Sequence, residues 1–177
     1  MFAWWVAIDC LPTWVNKQHR TLEVSNLCHV CAAEPEDTFH ALCRCPRAVA
    51  LWQAMAQQWS IPDVRRLVNT GPEWLLQVLA ELSEEERLYT LMTIWRCWHV
   101  RNEIVHHKRP PPVEASARFL SSYICSLLAL QANPNGDHVK GKMVTVPQYK
   151  RRALSHAGEV VKKRQGLDAP PAGGVKY

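Results

Sequence analysis

Cys28-His-Val-Cys31, the run AAEPEDTF, His40, the run ALCR and then Cys45-Pro46 form the stretch on which the reading of this chain turns. A Cys-x-x-Cys turn can aim two thiolates at one ion without strain, and a tetrahedral zinc takes its other two donors from a second segment. The spacing assigns Cys28, Cys31, His40 and Cys45 to a single Zn2+. Cys45 stands at a helix start, where free backbone amides favour a thiolate. Cys43, three residues after His40 on the same short helix, competes for the fourth position. His29 lies inside the first turn and is expected to point outwards, while Cys10, Cys97 and Cys125 are isolated and read as packing residues. Four protein donors leave no open position for a reactive water, so the expected zinc is structural. Glu34, Glu36 and Asp37 fall in a polar loop, where they are expected to face solvent.

The surrounding 177 residues set the scale. All eight tryptophans precede residue 100, which places the core in that part of the chain. Charge is uneven: residues 1–137 hold 12 Lys/Arg against 14 Asp/Glu, whereas 138–177 hold 9 against 2. A slightly acidic core followed by a basic, solvated tail is the expectation. No apolar run is expected to reach the roughly 18–20 residues of a membrane helix, and the opening MFAWWVAIDC has no basic leader and is broken by Asp9. Seven cysteines, four of them clustered over 28–45, without a secretory signal suggest metal binding inside a cell, in nucleus or cytoplasm, rather than a disulfide framework.

Periodicity predicts a mainly α chain. Two short pieces span 2–9 and 12–20, with Pro12 opening the second. Asp37 or Thr38 caps the short helix carrying His40. Pro46 then opens a longer helix ending near Trp59, with Val49, Trp52, Met55, Ala56 and Trp59 as its buried stripe. A short helix over 73–81 follows. Ser83 and Glu86 form a capping box for a long helix over about 84–107, with Leu88, Leu91, Met92, Trp95, Trp98, Asn102 and Val105 facing inwards. A last amphipathic helix over about 113–131 would bury Phe119, Tyr123, Leu127 and Leu130. The expected organisation is a zinc-binding domain over 1–60, a helical extension over 61–132 and a basic, largely disordered tail over 133–177.

Phe2 and Trp4, Leu11-Pro12-Thr13, Arg20, Cys28 and Cys31, Glu36 and His40, Cys45-Pro46 and Trp52 together resemble the reverse transcriptase zinc-binding domain of plant non-LTR (LINE-type) retrotransposons. Trp98-His-Val-Arg101-Asn102 resembles a segment that follows this domain in such polyproteins. Ala169 to Tyr177 is similar to the lead-in to their ribonuclease H domain. The resemblance implies a structural zinc and assistance to a polymerase in handling its template. The family's upstream amphipathic segment, the polymerase palm and the ribonuclease H carboxylates are all expected to be missing, so no enzymatic activity is expected.

The basic residues Lys140, Lys142, Lys150, Arg151, Arg152, Lys162, Lys163 and Arg164 could neutralise phosphates of RNA or DNA in a weak, non-specific way. Tyr149 alone among them offers a stacking surface. Arg101 and Asn102 could touch nucleic acid, but are read chiefly as structural residues. His99, Glu103, His106 and His107 have helical spacing for a second metal. No membrane or small-molecule substrate is implied. The rival reading is a stand-alone, zinc-stabilised protein-interaction module. In either case metal loss is expected to melt residues 2–52 and to spare 84–107.

Overall fold

A computed structural model describes residues 2–132, and the expectations for the basic tail and the Ala169–Tyr177 segment lie outside those residues. Among the described residues the fold is mainly helical, and the only extended pairing is an isolated antiparallel bridge between Leu27 and Pro35. The helices are α1 (Phe2–Ala7), α2 (Trp14–His19), α3 (Pro46–Ala56), α4 (Trp74–Ala80), α5 (Glu84–Val105) and α6 (Val113–Ala132). A π-helical turn at His40–Arg44 precedes α3, and a 3-10 turn at Val64–Arg66 follows it.

Local chemistry explains several boundaries. Thr13, not Pro12, opens α2: its hydroxyl accepts from the Asn16 amide, which satisfies a donor that the first helical turn leaves free. Pro46 occupies the first turn of α3, where its missing N–H costs nothing. Ser83 and Glu86 close the expected capping box of α5 in both directions.

Which faces are buried differs from the periodic reading. In α3 the inward stripe is Ala48, Leu51, Trp52 and Met55, while Ala56 is exposed and the helix stops three residues before Trp59. In α5 the buried set includes Thr90, Thr93, Ile94, Cys97, Trp98 and Arg101, and the expected Leu88, Leu91, Met92, Trp95 and Asn102 are only half-buried. The reason is position. α5 packs against the π-turn, α3 and α6, so it is covered round much of its circumference and has no single apolar stripe. Thr93 is admitted because a buried hydroxyl can bond its own helix: its Oγ1 donates to the Tyr89 carbonyl at 2.7 Å.

α6 turns a different side inwards from the one expected. Ser116, Ala117, Leu120 and Ile124 are buried, while Phe119, Tyr123 and Leu130 are 45, 42 and 70% exposed. Small residues at 116 and 117 let α6 approach α3 and α5 closely. Larger aromatic side chains there would hold the helices apart. The expectation that no run reaches membrane length is also corrected: Val113–Leu130 is long and apolar enough by length and composition. In this fold its inner face is part of the shared core. That core runs from Val6 on α1, through Leu42, Trp52, Leu75 and Ile94, to Ile124 on α6, so helices on both sides of residue 60 contribute to it.

Candidate metal centre

Cys28 and Cys31 lie on a tight turn in which the Ala32 amide donates to the Cys28 carbonyl at 2.8 Å. Ala32 adopts a φ of 54°, a left-handed conformation that reverses the chain directly behind Cys31. The arms of this turn are zipped together. The Cys28 amide donates to Glu34 O at 2.9 Å, and the Glu36 amide to Asn26 O at 2.8 Å.

His40 and Cys45 come from the π-turn. The Cys45 amide donates to the His40 carbonyl at 2.8 Å, an i to i+5 bond. In an α-helix, residues three or four apart share a face. The wider π-turn instead brings residues five apart into line. It therefore sets Cys45 beside His40 and turns Cys43 away into the core, where Cys43 is 2% exposed and burial pushes its thiol well above the ordinary range.

The four donor atoms of Cys28, Cys31, His40 and Cys45 all lie within 4.8 Å of one another, and Cys31 Sγ is 3.4 Å from His40 Nε2. Tetrahedral zinc, with bonds of about 2.3 Å to sulfur and about 2.0 Å to nitrogen, asks for donors close to this spacing. Proximity and burial shift three of the four groups. Cys28 donates to Cys45 and, with burial adding to the effect, is pushed up to about 12. The same bond lowers Cys45, aided by the Arg47 and Ala48 amides at the start of α3 although burial opposes it. Burial also opposes charge on His40, but contact with Cys28 and Cys31 raises it to about 9. Metal binding would require these side chains to release their protons.

Glu36 is corrected from a solvent-facing loop residue to a buried part of the site, whereas Glu34 is exposed as expected and still reaches the histidine. His40 Nδ1 donates to Glu34 Oε2 at 3.1 Å, which leaves Nε2 free to face the cysteines. A carboxylate on the far nitrogen fixes the ring and strengthens it as a ligand. Glu36 is fully buried and is taken up by Arg101 of α5. Asp37 Oδ1 accepts from the His40 amide. An acidic residue a few positions before a ligating histidine is the signal that points to such a role. Replacing Glu34 by alanine should weaken metal binding about tenfold, with a smaller loss for Glu34→Gln, which keeps an acceptor. Competition against a chromophoric chelator measures both.

The remaining candidates do not converge. His29 is exposed and stacks on Trp14 with ring centroids 3.8 Å apart. Cys97 is buried in the core, Cys10 is half-buried and Cys125 is exposed. His99 Nδ1 lies 3.6 Å from Glu103 Oε2, but among the described residues the Cys28–Cys45 group is the only convergence of three or more metal-binding side chains.

A mainly helical domain holding a closed group of three cysteines and one histidine is thus defined by fold and geometry alone. The family model described as zinc-binding in reverse transcriptase matches residues 1–52, a span that contains all four donors. No curated protein and no solved structure matches the chain.

Proposed function

We propose that this chain is a non-catalytic, zinc-stabilised module of a reverse transcriptase polyprotein of the LINE-type retrotransposon class, working inside the cell on nucleic acid. The observation that carries the reading is the convergence of Cys28, Cys31, His40 and Cys45 within the segment matched by the family. Four protein donors fill a tetrahedral ion, so zinc here would organise the chain and leave no position for a reactive water. In this reading residues 1–60 supply the zinc ligands, 61–132 complete the core around them, and 133–177 form a basic linker towards a ribonuclease H domain. The linker's Lys and Arg residues would meet phosphate oxygens without reading sequence.

Purified protein should contain one zinc per chain by elemental analysis. It should bind single-stranded RNA with an affinity that falls steeply with salt, since each neutralised phosphate contributes a slope of about −0.7. Neutralising Lys150, Arg151, Arg152, Lys162, Lys163 and Arg164 should flatten that slope. No strand cleavage is expected with Mg2+ or Mn2+. A metal-free preparation that is fully folded would overturn the reading, as would salt-insensitive RNA binding. One observation favours a second reading, a protein-interaction module: the exposed row of Phe119, Tyr123 and Leu130 on α6. Salt-insensitive capture of one protein, lost on Tyr123→Ser, would select it.

A further inference from the structure

Arg101 belongs to α5, well beyond residue 52 where the family match ends. We propose that it is a positioning residue of the metal centre, acting through Glu36. The inference rests on reading the Cys3His group as a metal centre and adds a partner to it.

Both members of the pair are buried. Glu36 is 0% and Arg101 5% exposed. The guanidinium grips the carboxylate as a fork, with Nε donating to Oε2 at 3.2 Å and Nη2 donating to Oε1. Two further N–H groups are also used: Nη1 donates to Asn102 Oδ1 at 3.0 Å and Nη2 to the Pro12 carbonyl at 3.4 Å. The Trp98 ring lies beneath the guanidinium at 4.7 Å. No other side chain type offers this planar, always charged fork.

Glu36 is well placed to pass that grip on to the ligands. Its backbone amide donates to Asn26 O at 2.8 Å and its carbonyl accepts from Val15 N at 3.1 Å, while its Oε1 accepts from Trp14 N at 3.2 Å. It thereby fixes the arm that leads to Cys28 and, four residues before His40, the start of the π-turn. Arg101 and Glu36 also line a cavity of about 20 Å³ together with Cys28 and Cys45. Removing Arg101 strands a buried carboxylate between the two ligand pairs. The loop must then move to hydrate it, and the donors move with the loop.

The test uses the full chain and Co2+ as the probe, with thiolate-to-metal absorption reporting affinity and far-UV circular dichroism reporting helix. Arg101→Met should remain helical with metal and bind Co2+ about tenfold or more weakly, the scale found for outer partners of metal ligands. Arg101→Lys, which keeps the charge without the fork, should fall between. The double variant Glu36→Gln with Arg101→Met removes the stranded charge. It should regain melting temperature yet stay about tenfold weak for Co2+, and it carries the test if the single variant does not fold. Leu120→Ala, a core cavity on α6, serves as the control: it should lower the melting temperature and leave Co2+ affinity unchanged. The proposal falls if Arg101→Met binds within about twofold of the parent protein, a change too small for an outer partner. It also falls if the double variant recovers affinity along with stability, or if Leu120→Ala weakens binding equally. A parent protein that takes up no Co2+ would instead remove the metal centre itself, and the inference with it.

Discussion

Stripping the metal, or replacing Cys28 by serine, should remove amide hydrogen-exchange protection from residues 2–52 and from the C-terminal half of α5 together. Between Thr21 and Pro35 the described chain has one isolated bridge and no helix, and Leu22, Val24 and Leu27 are largely exposed. Such a segment buries too little apolar surface to offset the entropy of ordering it. Structural zinc contributes about 10–16 kcal/mol in small finger peptides, against a net domain stability of about 5–15 kcal/mol. The sequence suggested that α5 would be spared. The packing argues for the wider loss, because the π-turn packs on α5 and Arg101 of α5 holds the Glu36 carboxylate. Protection should survive longest in the first turns of α5, next to its capping box. Retained protection over residues 94–105 in the stripped protein would show that the metal stabilises its own loop alone.

Trp52→Ala should lower the stability of the metal-loaded protein by about 3–5 kcal/mol, as large aromatic truncations in packed cores do. Trp52 is 1% exposed on the inner face of α3, and its indole N–H donates to the Leu42 carbonyl at 2.9 Å. Leu42 lies in the π-turn between His40 and Cys45, itself 0% exposed. The substitution therefore opens a cavity and also strips a buried carbonyl of its donor. For a compact part of this size the melting temperature should fall by roughly 10–20 °C. Trp52→Phe separates the two losses, since it keeps most of the volume and should cost only about 1–3 kcal/mol for the orphaned carbonyl. Urea denaturation of both variants measures the difference. Equal losses in the two would mean that the hydrogen bond, rather than the packing, is what Trp52 supplies.

Much of the candidate site was legible because its signals are local. Cys-x-x-Cys, a histidine and a Cys-Pro helix start each carry their meaning within a few residues, and so does the Ser83–Glu86 capping box. What periodicity missed is decided by neighbours distant in sequence. The inward side of α6 depends on how closely α3 and α5 approach, so the small Ser116 and Ala117 prevailed over the larger Phe119 and Tyr123. The polarity of α5 misled for the same reason: a helix enclosed by others can bury Thr90, Thr93 and Arg101. Glu36 looked like a loop acid because its partner lies 65 positions further on. Choosing between Cys43 and Cys45 required the hydrogen-bond period of one turn, which composition does not reveal.

That turn has a consequence for lineages of such domains. A π-turn is an α-turn carrying one surplus residue, and the surplus here falls between two donors. A copy lacking one of Ala41 or Leu42 could relax to the ordinary period, in which residues four apart share a face, and still present the same imidazole and the same thiolate. Histidine and cysteine separated by three residues or by four are then two spellings of one coordination geometry. A single-codon deletion at this point should be survivable, whereas loss of two codons should not. A catalogue of these sites built on one fixed spacing would divide a single lineage in two.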